Sequence, residues 1–318
     1  MKTPNNSNTL YRSLQENSGG QLVYGLTPPK LDNPPEKNNR ITRRRIERLS
    51  AVPLDGLIVY DIQDEDTRTS DERTFPFLET VPSYEYADQH LQGLDLPKIV
   101  YLSVGKYFPH ELDAVLASLQ QRIVVFVGSP SRDFPAKTSL RQAYEIFQRH
   151  RERLLLGGVT IAERHHTHRN EHKKILRKVD SGAQFFVSQC IFNAGMFKDL
   201  LSDYYHICQD EEREMKPILM TLTPCGSLKT LEFIKWLGIE VPRWMENDIR
   251  RNRDILDYSL QQCREIFLTI QDFCRDKGIP IGVNIESVAV HRDEVLASFE
   301  LARTIGELQQ QPIPPGCR

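Results

Sequence analysis

Short apolar runs recur along the chain, separated by longer segments with one greasy side. The runs fall at residues 21–26, 56–61, 98–104, 122–128, 154–160, 184–188, 217–222 and 280–284. Several are β-branched and nearly unbroken, as in Ile123-Val-Val-Phe-Val127. That is the pattern of strands buried on both faces. Residues 84–91, 111–119, 139–149, 168–179, 194–207, 228–237 and 293–305 instead carry apolar positions at helical spacing,. The stretch 245–276 is helical, highly charged and extra to this alternation. Eight strand–helix units predict an α/β fold, a single (β/α)8 TIM barrel over residues 21–308. A disordered N-terminal tail is expected over 1–20, which is rich in Asn, Ser and Gln, and a C-terminal tail over 309–318. The rival doubly wound sheet needs a phosphate-binding glycine loop after its first strand, and Gly25-Leu-Thr-Pro-Pro is not one.

Composition narrows the picture. Among 318 residues, 41 Lys and Arg face 43 Asp and Glu, a net charge of −2. No positive field marks a nucleic-acid partner. The basic run from Arg40 to Arg48 has Ile41, Ile46 and Leu49 along one side and reads as a solvated helix face. None of the six cysteines forms a CxxC pair, and the chain opens on a polar segment. A reducing, cytoplasmic protein with structural thiols is expected. No apolar run is long enough to span a bilayer.

In such a barrel, function lives where strands finish. The first ends in Tyr24-Gly25-Leu-Thr-Pro28-Pro29. The second ends in an acidic cluster, Tyr60, Asp61, Asp64 and Glu65, running on to Arg68. Crowded carboxylates suit acid catalysis or a cationic ligand, and equally a solvated loop. The third offers Tyr101 and Lys106, and the fourth Gly128-Ser129. The fifth leads into His165, His166 and His168, with His172 beyond. His168 and His172 would share a helix face and His165 would close a site. Without an HExxH or a cysteine partner, no metal is expected. The sixth delivers Gln189, whose amide both donates and accepts, as a flavin or pterin edge requires. The seventh gives Thr221, Thr223 and Cys225. The eighth gives Asn284 and Glu286, an acid/base candidate.

Four ordered segments carry a resemblance. They are Gly158-Val-Thr-Ile-Ala-Glu163-Arg-His165, then Lys178 with Gly182-Ala183 and Val187-Ser-Gln189, then Pro217-Ile-Leu-Met-Thr-Leu-Thr-Pro224, and last Ile239-Glu-Val-Pro-Arg-Trp-Met245. Together they resemble the methylenetetrahydrofolate reductase family, clearest over residues 150–250. The resemblance implies a (β/α)8 barrel that binds FAD and reduces a folate-bound methylene group, with a nicotinamide nucleotide as electron donor. By position it implies that Lys178 contacts the flavin and Gln189 the pterin. It places Tyr101 where the family has a third-strand histidine, Ser129 where it has a flavin-side Asp, and His165 in its Pro-Glu-x-His segment. Gly25 stands where the family's general-acid Glu is expected, before the Pro-Pro pair, and Ile161 replaces a tyrosine.

These departures define a divergent member. The first reading is a flavin-dependent oxidoreductase acting on a folate or related heterocycle. Glu65 or Glu286 would move the proton, Lys178, Ser129, Tyr101 and His165 would hold cofactor, and Gln189, Tyr60, Asp61 and Thr223 would hold substrate. The alternative is a folate- or pterin-binding protein, or a partner subunit, that kept the barrel and lost the chemistry. A third is a non-redox lyase or transferase using the loop 61–68. The expected partner is a small folate-type molecule, with a homo-oligomer as a further possibility.

Overall fold

The computed structural model describes residues 9–64, 73–129, 136–289 and 291–310. Eight parallel strands close into a barrel in sequence order. They are β1 (Leu22–Leu26), β2 (Gly56–Val59), β3 (Lys98–Ser103), β4 (Ile123–Val127), β5 (Leu155–Thr160), β6 (Ala183–Cys190), β7 (Ile218–Leu222) and β8 (Ile281–Ile285), and β8 pairs with β1. This is the (β/α)8 barrel that the alternation predicts.

The helices, in chain order, are α1 (Thr9–Gln15), α2 (Pro35–Leu49), α3 (Ser83–Glu85), α4 (Pro109–Ser118), α5 (Leu140–Phe147), α6 (Ala162–His168), α7 (Glu171–Asp180), α8 (Ala194–Asp210), α9 (Leu228–Trp236), α10 (Arg243–Arg251), α11 (Ile255–Lys277) and α12 (Arg292–Gln310). Local chemistry sets several boundaries. Pro35 starts α2, where its missing N–H costs nothing,. Ser139 and Gln142 form a reciprocal cap on α5,. Asn193, Ser227 and Asp254 cap α8, α9 and α11 with their side chains,. Gly278 ends α11 in the left-handed region,. None of the described helices is long and apolar enough to cross a membrane.

Three expectations change. The segment taken as a disordered tail contains α1, whose Leu10 and Leu14 are buried with Ile58, Ile99, Ile123 and Leu155. These partners lie early in their strands and face inward, so α1 plugs the N-terminal end of the barrel. Its polar composition hid two well-spaced leucines. The helix expected over 168–179 begins only at Glu171, as α7, and a further helix, α6, precedes it, because Arg169 adopts φ 49° and separates the two. The stretch 245–276 is likewise two helices, divided where Asn252 extends and Asp254 caps the second. At the other end, α12 runs to Gln310 and residues 311–318 lie outside the described residues.

Alternation along the strands sorts side chains into two sets. Val23, Ile58, Ile99, Tyr101, Ile123, Val125, Leu155, Phe185, Val187 and Leu219 pack inside the barrel. Their neighbours, such as Leu57, Val100, Val124, Leu156 and Phe186, pack outward against the helices. The inward positions nearest the strands' C-terminal ends form the floor of the mouth.

A polar floor at the C-terminal mouth of the barrel

Counting inward by twos brings Gly25, Tyr60, Tyr101, Thr221, Asn284 and Glu286 to this floor. Asn284 Nδ2 donates to Tyr60 Oη at 2.8 Å and to Thr221 Oγ1 at 3.2 Å. Thr221 Oγ1 in turn donates to the Ser188 carbonyl at 2.7 Å. Tyr60 Oη is hydrogen-bonded to Glu286 as well. Cys190 Sγ donates to Glu286 Oε1 at 2.8 Å. The Tyr60 ring meets Tyr101 edge-on, with centroids 4.9 Å apart. Four strands thus contribute to one connected network, and its members polarise one another.

Burial governs the electrostatics. It pushes the Glu286 carboxyl above its ordinary range, and donors from Cys190, Tyr60 and Asn284 offset this only in part,. The same burial, with Glu286 close by, raises Tyr60, Tyr101 and Cys190 far enough that all three stay neutral. The floor is therefore rich in neutral donors and acceptors. Asn284 Oδ1 and Gln189 Oε1 are buried and without a hydrogen-bond partner among the described residues. An unpaired buried acceptor is costly, and a ligand N–H relieves it.

A folded-state pKa raised above the unfolded value gives stability that is complete below the ordinary Glu range and lost as pH rises through the raised value. Glu286→Gln removes that loss. Urea midpoints of parent and variant, taken from about pH 4 to about pH 9, should therefore diverge steadily in favour of the variant as pH rises. Parallel curves would show that Glu286 ionises freely.

Gly25 has a neighbour that explains it. A Cβ there would lie 2.7 Å from both Cε2 and Oη of Tyr60 and 2.9 Å from Cζ. The Tyr60 ring fills the space that a side chain at position 25 would need. An acid on β1 is therefore excluded by a tyrosine on β2, and the buried carboxyl of this mouth comes from the end of β8 instead.

The other expected site residues fall in different places. Asp61 is buried, accepts from the Ser103 N–H at 2.7 Å and pairs with Lys106 at 2.5 Å, so it anchors the β2 and β3 exits. Thr223 is buried and its Oγ1 accepts from the Val288 N–H. Ser129 sits at the β4 exit near Gly105. Lys178 lies along the outside of β5, beside Gly158, and its ammonium donates to the Val159 carbonyl. Desolvation lowers its pKa to about 8. It lines an outer groove of about 470 Å³ with Tyr144, Lys174 and Arg177. His165 has no exposed surface. Glu65 lies outside the described residues.

Gln189 departs from simple alternation. The register between β6 and β7 shifts after Val187, and such a bulge re-aims the side chains that follow. Gln189 Nε2 reaches the Leu237 carbonyl at 2.9 Å, while Cys190 turns its thiol to Glu286. Cys190 is a site residue the sequence reading missed. A run that continues apolar past Gln189, into Ile191 and Phe192, was the available signal.

The side chains that the resemblance assigns to a flavin lie in different parts of the barrel. Tyr101 is buried beneath Tyr60, His165 is enclosed by helices, and Lys178 is held on the outer wall. Tyr101, His165 and Lys178 do not share one cradle.

The methylenetetrahydrofolate reductase family model matches residues 161–274. A solved structure from Clostridium thermocellum, of a protein described as binding two copies of 5-methyl-5,6,7,8-tetrahydrofolic acid, is 42% identical with a TM-score of 0.84. The match covers 94% of this chain and 99% of that one. Structures of 2,3-dimethylmalate lyase (14% identity, TM-score 0.43, 97% of this chain and 98% of that one) and of a Schiff-base-forming fructose-1,6-bisphosphate aldolase (12%, 0.46, 96% and 99%) are far more distant. No protein of curated function matches significantly. The family match and the relative aligned over nearly its whole length agree with the barrel and its ordered motifs: the chain belongs to the methylenetetrahydrofolate reductase family.

Proposed function

We propose that this protein is a reduced-folate-binding barrel whose mouth receives the pterin ring, and that it does not carry the family's flavin-dependent reduction. The observation that carries the reading is Tyr60 standing in the space beside Gly25 while hydrogen-bonded to Glu286 and Asn284. The position of the expected acid is filled by a ring, yet a polar floor suited to a heterocycle remains. A pterin presents an N–H and an amino group beside a carbonyl along one edge. Asn284 Oδ1, buried without a partner among the described residues, and the Glu286 carboxyl supply acceptors for the donors,. The 42% identical relative that binds 5-methyltetrahydrofolate supports the ligand class.

Calorimetry with 5-methyltetrahydrofolate tests this on purified full-length protein. The expected result is saturable binding to a colourless protein. A yellow protein whose flavin absorbance is bleached by NADH or NADPH, and reoxidised by methylenetetrahydrofolate, would overturn it in favour of the oxidoreductase. One observation favours that second reading: burial raises the pKa of Glu286, the direction a general acid needs,.

A further inference from the structure

We propose that His165, His172 and Asp203 form a binding site for a divalent transition metal, zinc above the others, where α6, α7 and α8 meet. The three residues each offer one donor atom, and these atoms lie within 4.8 Å of one another. The site is separate from the floor of the mouth and shares no residue with it.

The geometry argues for a metal over an ordinary ion pair. His165 Nε2 lies 3.2 Å from Asp203 Oδ2. That is close enough for a charge pair, yet neither ring nitrogen of His165 makes an aligned hydrogen bond. Ligands on a tetrahedral zinc with bonds of about 2.0–2.1 Å sit roughly 3.3 Å apart, so this separation already fits one edge of the polyhedron. The His172 ring stands at 78° to the His165 ring with centroids 5.3 Å apart, and its Nδ1 is also buried without a partner. His165 is 0% exposed and His172 7%. One nitrogen from each of two buried imidazoles and one carboxylate oxygen lie close enough to share a single metal,, and neutral imidazole with carboxylate is a donor set that zinc accepts. Asp203 is half-exposed at 45%, so water reaches the site and completes the shell.

The break at Arg169 assembles this pair. It ends α6 and restarts the chain in α7, which turns His172 inward and leaves His168 exposed. Asp203 comes from α8, which packs on both short helices. A bound metal would clamp α8 to the α6–α7 corner.

The test uses the full chain with zinc and cobalt. Protein freed of metal by chelation is titrated with Co(II) and then Zn(II). Expected are the visible bands of tetrahedral cobalt, their loss on adding zinc, about one zinc per chain, and a higher melting temperature with zinc. His172→Gln should abolish the cobalt bands. Asp203→Asn, at a half-exposed position that leaves folding intact, should weaken zinc binding more than about tenfold. Octahedral cobalt spectra, or a zinc effect on melting that Asp203→Asn leaves unchanged, would overturn the proposal. So would absence of any zinc effect on the folded parent.

Discussion

Replacing Glu286 by Ala should weaken binding of 5-methyltetrahydrofolate by about 3 kcal/mol, roughly a hundredfold in Kd. The variant removes the partner of Cys190 Sγ and of Tyr60 Oη, both deep in the floor, along with one acceptor for the ring. Each buried group left unpaired costs about 1–3 kcal/mol. Glu286→Gln keeps the shape and one hydrogen bond of each kind, so it should cost only about tenfold. The contrast is informative. Calorimetry that shows Gln as damaging as Ala would mean the ligand needs a carboxylate charge. Equal affinity in all three proteins would remove the pterin from this floor. Circular dichroism of each variant separates lost binding from lost fold.

Gly157→Ala should be strongly destabilising for a single methyl, costing about 3 kcal/mol or more. Gly157 faces inward on β5, and a Cβ there would meet Phe185 Cζ at 2.4 Å, Cε1 at 2.7 Å and Cε2 at 2.8 Å. Phe185 has no exposed surface, so its ring has no vacant space to enter. A fall in melting temperature of roughly 5 °C is expected. Adding Phe185→Leu should recover part of it, because the smaller side chain makes room for the methyl. A melting temperature within about 1 °C of the parent would show that β5 and β6 slide apart freely there.

The strands were legible because burial on both faces writes itself as continuous apolar runs, and each of the eight expected runs overlaps an observed strand. Helices were legible where caps or amphipathic spacing marked them. What escaped depended on single backbone angles. A left-handed Arg169 ends an unexpected helix, α6, and delays the expected one to Glu171, and no residue at that position advertises it as a glycine would. A bulge in β6 exchanges the directions of Gln189 and Cys190. Leu10 and Leu14 are too few to make a recognisable apolar run, yet they plug the barrel.

The site was legible by element more than by atom. Strand-end reasoning brought Tyr60, Gln189 and Glu286 forward, and the structure ties Tyr60 and Glu286 directly together. Asp61 and Thr223 were read correctly as strand-end residues, but their polar atoms serve the loops that follow. Cys190 and Asp203 went unread because each gains its meaning only from a partner far along the chain, Glu286 in one case and His165 in the other.

The Tyr60 ring lodged against Gly25 makes these two positions interdependent in any substitution history. A glutamate placed at 25 alone meets the ring, whereas a small residue at 60 alone opens an empty pocket in the floor. Reintroducing an acid on β1 therefore takes an ordered pair of changes, with residue 60 shrinking first. Between the two steps lies a protein with a breached floor, and that intermediate acts as a ratchet that holds the present arrangement in place.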